Sequence, residues 1–188
     1  MSIFKTRAKT EYIVIHHAAS SRDITAAEID ASHKRKGKLG IGYHFVVRQA
    51  GGIEEGRPKA KEGAHLRSYN DRSIGIVLTG NLQLRPPPEA QLQSLVTLVK
   101  RLQKEYPEAK VIMHRDKANT LCPGKFFPAE EFRELLRETE DGVSNWARAP
   151  QKWVMENWIS DGTNPKGAVT REALWTMLYR YHYQSNKL

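Results

Sequence analysis

The chain has 188 residues, a formal net charge of +9 and a sequence pI near 9.7. That length accommodates one ordinary domain with an appendage, and it buries a hydrophobic core without disulfide staples. A single cysteine, Cys122, excludes an intramolecular disulfide, and no stretch approaches the roughly 20 apolar residues of a membrane span. The opening MSIFKTRAKTEY lacks the apolar centre of an export signal, so synthesis in a cytoplasm is expected. The positive charge suits a polyanionic partner, either nucleic acid or an anionic cell envelope, without choosing between them.

In chain order, the apolar run YIVIH at 12–16 predicts a strand. Thr25 and Glu28 have the spacing of a capping box, which opens a helix to about Lys36, where Gly37 supplies a stop. YHFVV at 43–47 predicts a second strand, and RQAGG at 48–52 reads as a hairpin turn after it. SIGIVL at 73–78 predicts a third strand. Behind the PPP block a helix is expected over Glu89–Glu105, with Leu92, Leu95, Val96, Val99 and Leu102 on one face. KVIMH at 110–114 predicts the last strand, and a helix from about Ala129 to Glu138 presents Phe132, Leu135 and Leu136. Strands alternating with helices, plus one hairpin, imply an α/β fold with a mixed sheet.

After Glu138 the texture changes. ETEDGVSN at 138–145 reads as a linker, and Trp146, Trp153, Val154 and Trp158 then recur at helical spacing. The turn DGTNPKG at 161–167 and the amphipathic TREALWTMLYRY at 170–181 complete a helical hairpin. The expected domains are residues 1–140 and 141–188.

Two of the seven histidines, His16 and His114, end apolar strand runs. Ends of neighbouring strands share one rim of an α/β sheet, where such folds build their sites. Cys122 follows across the polar loop RDKANTL, and Pro123 and Gly124 supply a turn that brings a thiolate back to the strand end. Two imidazoles and a thiolate suit Zn2+, with the fourth tetrahedral position left to water. Position alone leaves a second reading open: satisfied sheet-edge histidines and a small buried cysteine. His17 and His44 alternate to the faces opposite His16 and Tyr43, so packing or surface roles are expected for both. His33, on a polar helix face, and His182 are expected to be solvated.

The strings IVIHH, IGYHF, EEGR, GAHLRSYNDRSIGIVLTGN and MHRDKANTLCPG follow one another over residues 12–124. In that order and with those gaps, the chain resembles the zinc-dependent N-acetylmuramoyl-L-alanine amidase family, which includes phage endolysins and peptidoglycan recognition proteins. The resemblance implies a mixed central sheet flanked by helices. It also implies hydrolysis of the peptidoglycan amide between N-acetylmuramic acid and L-alanine by zinc-activated water. The family's metal ligands fall on His16, His114 and Cys122, and its active-site tyrosine on Tyr43. His65, Arg67 and Asn70 are expected to line the muropeptide groove, with Arg57 and Asn81 as lesser members.

The chain departs from parts of that family at two places. Thr120 stands where many bacterial and phage members carry lysine, and Val77 where some cytoplasmic recycling members carry glutamate. Tyr43 and Thr120 are therefore the expected catalytic pair, both supporting the oxygen on which charge develops. The proton carrier to the leaving nitrogen is unassigned; Glu54, Glu55 and Asp116 are near in sequence only. The retained Cys122 argues against the competing reading, a non-hydrolytic peptidoglycan receptor. Dispersed basic residues without a recognisable motif argue against a nucleic-acid partner.

DGTNP and VTREALWTMLYRY resemble a single surface-layer-homology-like repeat, which implies a secondary cell-wall polymer bound through residues 143–188. A lone copy leaves open weak binding, packing on the catalytic domain, or association of several chains to supply more copies; the bland alternative is a hairpin that only covers hydrophobic surface. The biological setting implied is a phage or prophage endolysin, made in the host cytoplasm and acting on the bacterial wall after release.

Overall fold

The computed structural model describes residues 4–137, 143, 147–164 and 166–185, and the chain divides into two units, Met1–Phe132 and Arg133–Leu188. The first unit is built on a five-stranded sheet. Its strands are β1 (Tyr12–His17), β2 (Phe45–Val47), β3 (Ile53–Glu55), β4 (Ser73–Leu78) and β5 (Lys110–Met113), in the spatial order β3-β2-β4-β1-β5. β1 pairs in parallel with β4 and β5, β2 in parallel with β4, and β2 antiparallel with β3. The expected mixed sheet is thus realised through the β2–β3 hairpin, which is closed by Arg48 N–H donating to Gly52 O at 2.7 Å.

β4 is buried along its whole length, which suits its unbroken apolar run. α1 (Ala26–Arg35) has the expected capping box: Glu28 N–H donates to Thr25 Oγ1 at 3.1 Å, and Thr25 N–H to Glu28 Oε2 at 2.7 Å. Its Ile29 packs with Ile41, Val46 and Val77. Val46, Val77 and His16 are lateral partners across β2, β4 and β1, so α1 covers the sheet face to which His16 belongs. α2 (Glu89–Glu105) buries Leu92, Leu95, Val96, Val99 and Leu102 as its periodicity predicts. Burying each such side chain contributes roughly 1.5–3 kcal/mol.

Three strand boundaries differ from expectation, the first being that of β1, which runs on to His17, and β3 is an additional strand. β2 starts at Phe45, although His44 N–H still donates to Gly75 O and Arg57 N–H to Tyr43 O, both at 2.8 Å. β5 stops at Met113 because His114–Asp116 wind into a 3-10 turn, in which the Asp116 carboxylate accepts from Met113 N–H at 2.9 Å. β3, with one apolar residue in three, is too short and polar to stand out as an apolar run, as befits an edge strand.

α3 (Ala129–Arg137) spans the division between the units, and its Phe132 packs edge-on against Phe127 in the first. The second unit contains α4 (Arg148–Glu156) and α5 (Arg171–Ser185), the expected helical hairpin. Thr170 caps α5 by accepting from Ala173 N–H at 3.1 Å. In the turn between them, Asp161 accepts from Thr163 N–H, and Gly162 takes a left-handed φ of +71° that suits glycine. Trp153 meets Tyr181 edge-on, whereas Trp158, Trp175, Tyr179 and Tyr183 are exposed. Trp146, Pro165 and the expected linker at 138–145, Val143 excepted, lie outside the described residues. Among the described residues no helix is long and apolar enough to cross a membrane.

Candidate active site

The parallel pairing of β1 with β5 carries His16 and His114 to the same rim, where their rings approach to 4.5 Å between centroids. The loop after β5 folds back: Arg115 N–H donates to Cys122 O at 3.0 Å, and the Arg115 guanidinium donates to Gly124 O at 3.2 Å. Ligand atoms of His16, His114 and Cys122 then lie within 4.8 Å of one another. Tetrahedral zinc, with bonds of about 2.0–2.1 Å to nitrogen and 2.3 Å to sulfur, sets such ligands about 3.6 Å apart. Nδ1 of His16 is 3.8 Å from Sγ of Cys122, so this pair has the spacing that zinc asks of an imidazole and a thiolate, and the donor types of the set suit zinc in chemistry.

Burial keeps each of these groups in its neutral form. His16 titrates well below the usual histidine range because it is desolvated and beside His65 and His114; burial also lowers His114. Both imidazoles are therefore neutral at neutral pH. Burial pushes the Cys122 thiol up to about 11, opposed by the His17 N–H at its sulfur and by Arg115. Tyr43, with its ring 5.2 Å from that of His16, is pushed up to about 12 by burial and by Cys122, so its phenol is a donor and not a base. A cavity of about 110 Å3 lined by Ile24, Ile29, His33 and Tyr43 opens beside it.

Thr120 is half-buried and accepts from Cys122 N–H at 3.2 Å, which leaves its hydroxyl proton for a second partner. Arg67 is exposed. His65 and Asn70, expected on the groove wall, are placed differently. His65 is buried beneath His16, with Nδ1 3.0 Å from His16 Nε2 and Nε2 3.4 Å from Ser73 Oγ. Asn70 turns inward, its Oδ1 accepting from the N–H groups of His65 and Leu66 at 2.9 and 3.0 Å. Arg57 is buried too, donating to Ile41 O and Glu62 O and lying 4.1 Å over the Phe4 ring. Asn81 Oδ1 accepts from Gln83 N–H.

The acidic neighbours are likewise committed elsewhere. Glu54 binds Arg48 and Ala26 N–H, Asp116 binds Met113 N–H, and Glu55 lines a separate cavity with Arg57, Lys59 and Arg101. Val77 lies in the apolar cluster against which Tyr43 packs, so no carboxylate occupies that place. His44 and His17 have packing roles, as expected: His44 donates to Lys61 O and accepts from Gly75 N–H, and His17 Nδ1 accepts from Leu82 N–H. His33 is not solvated as its helix face suggests. The returning chain sets Gly42 N–H against its Nδ1 at 3.1 Å and Tyr43 beside its ring, contacts that no periodicity within α1 announces.

Known proteins share both sequence and fold with this chain. The chain is 35% identical over 127 residues to the endolysin of Klebsiella phage KP32, a match covering 64% of this chain and 84% of the phage protein. A peptidoglycan-recognition protein of Drosophila simulans is 32% identical over 146 residues, covering 72% of this chain and 74% of the insect protein. The solved N-acetylmuramoyl-L-alanine amidase LysC from Clostridium intestinale URNW superposes with a TM-score of 0.67 at 35% identity, covering 70% of this chain and 88% of that one. Residues 6–125 match the N-acetylmuramoyl-L-alanine amidase family, and with the sheet rim, the donor set and these relatives in agreement, the chain belongs to that family.

Proposed function

We propose that this chain is a zinc-dependent N-acetylmuramoyl-L-alanine amidase of the phage-endolysin type, hydrolysing the amide that joins the glycan of peptidoglycan to its stem peptide. The convergence of His16, His114 and Cys122 at one rim, beside Tyr43, carries the reading. Bound there, zinc supplies a Lewis acid for the amide carbonyl and activates the attacking water. Tyr43 keeps its proton and donates it in a hydrogen bond to the oxygen on which charge develops. Thr120 orients Cys122 through its backbone N–H and offers its remaining proton to the same oxygen. Arg67 contacts the muropeptide from a loop whose base Asn70 braces. A non-hydrolytic peptidoglycan receptor would share the groove, but the retained thiol ligand favours hydrolysis.

Digestion of purified peptidoglycan is the test. Mass analysis should find newly freed L-alanine amino groups and no new reducing sugar ends; chelation should stop the release, and Zn2+ should restore it. New reducing ends would instead mark a glycosidase, and full turnover by metal-free protein would remove zinc from the mechanism.

Catalysis is assigned to residues 1–140 and wall attachment to residues 141–188. The exposed Trp158, Trp175 and Tyr179 support the second assignment, since aromatic faces suit carbohydrate-bearing polymers. Deleting residues 143–188 should weaken binding to intact walls while sparing cleavage of soluble fragments; undiminished wall binding would leave the hairpin without that role. The setting proposed is synthesis in the host cytoplasm, followed by action on the wall after release.

A further inference from the structure

Beneath the metal-ligand rim runs a buried chain of polar groups whose proton order follows from its last member. The Tyr69 carbonyl can only accept, and Ser73 Oγ lies 2.6 Å from it, so the serine proton is spent on that bond. Ser73 Oγ is then left with lone pairs towards His65 Nε2 at 3.4 Å, which places the ring proton of neutral His65 on Nε2. The bare Nδ1 of His65 faces His16 Nε2 at 3.0 Å, so His16 donates from Nε2. Neutral His16 therefore has a lone pair on Nδ1, the atom 3.8 Å from Cys122 Sγ.

The seat of His65 is built for a ring. A Cβ on Gly75 would meet the His65 ring at 2.5 Å, and one on Gly63 would meet it at 2.4 Å, contacts that real side chains do not make. Gly75 lies on β4 between Ser73 and Val77, on the face of the sheet that carries His16. Its missing side chain is the slot that the imidazole fills.

We propose that His65 is a positioning residue which, with Ser73 and the Tyr69 carbonyl behind it, selects the tautomer of His16 and keeps the Nδ1 lone pair facing Cys122 and His114. The consequence for metal affinity rests on the zinc reading above; the tautomer itself does not. Such partners behind a ligand commonly change affinity by about 10–100-fold.

Ring-nitrogen NMR on the metal-free full-length chain tests the tautomer directly. Both His16 and His65 should carry their proton on Nε2, and an Nδ1–H signal from His16 would overturn the proposal without any variant being made. His65→Phe fills the slot but offers no acceptor; it should mix the His16 tautomers and weaken zinc binding, read by chelator competition, about 10–100-fold. His65→Asn sets a carbonyl near the position of Nδ1 and should recover most of the Nε2–H signal and of the affinity. Ser73→Ala, which removes one oxygen, should give His65 an Nδ1–H fraction, and it serves where the larger changes do not fold. Folded His65→Phe with unchanged tautomer and zinc affinity refutes the proposal. A wild-type chain with the expected ring signals that binds no zinc would instead sink the metal reading and leave the tautomer selection standing.

Discussion

Replacing Cys122 with serine should cost the protein its zinc and its turnover together, kcat/KM falling on the order of a thousandfold. That is equivalent to about 4 kcal/mol of lost transition-state stabilisation, at about 1.36 kcal/mol for each factor of ten. The cause lies in ionisation. The Cys122 thiol, pushed up to about 11, is protonated in the metal-free protein at neutral pH, and a metal must displace that proton to bind sulfur. His16 and His114, both lowered by burial, are already neutral and release nothing. Zinc affinity should therefore rise about tenfold per pH unit below the thiol pKa, with about one proton released per metal bound. Calorimetry in buffers of different ionisation enthalpy measures that proton; none would mean that Cys122 does not ligate. Tyr43→Phe makes the contrast: zinc should stay, while kcat falls about 10^2-fold with the lost donor. Loss of zinc in that variant would return Tyr43 to the scaffold.

Acidification should destabilise the fold between about pH 6.5 and pH 4, with the loss setting in above the range in which most carboxylates titrate. His44 is 1% exposed, and burial lowers it from 6.5 to about 4, against the raising effect of its bond to Lys61 O. Its folded pKa is depressed, so the stability it contributes is fully present above 6.5. As pH falls, the unfolded chain takes up the proton first and the contribution is lost. The pKa difference corresponds to about 3 kcal/mol from His44 alone. His16 and His65 are lowered in the same direction and steepen the loss. Since domains hold only about 5–15 kcal/mol in all, acid unfolding should begin within this window. Urea denaturation of the metal-free chain at pH 7, 5.5 and 4.5 measures the trend. His44→Gln keeps a donor towards Lys61 and should remove about 3 kcal/mol of the pH dependence. A flat stability profile down to pH 4.5 would show that these histidines titrate as in solvent.

Elements whose signals are local were legible in the sequence. β4 and α2 have the expected bounds, because one is an unbroken buried apolar run and the other has a proline block before a continuous apolar face. The convergence of His16, His114 and Cys122 could be read from strand ends, since parallel neighbours share a rim. The roles of His65, Asn70, Arg57 and His33 could not. Three of them depend on a partner from another element or loop: His16 for His65, Ile41 O for Arg57, Gly42 N–H for His33. Asn70 is the local exception, reaching back only to His65 and Leu66, a turn contact hidden within a string that reads as groove. The trace available for His65 was Gly75, a glycine inside a buried strand of branched residues, which signals close approach by another group.

The pairing of β1 with β5 also governs when the centre can exist. One ligand belongs to the first strand, while the other two follow the last strand of the sheet. β4 can dock on β1 and bury its apolar face with His114 and Cys122 still unplaced. Long-range closure of this kind is slow, because loop entropy is lost before the contacts that compensate for it are made. Capture of the proposed metal would thus report that β1 and β5 have paired, and no fragment ending before β5 would give that signal.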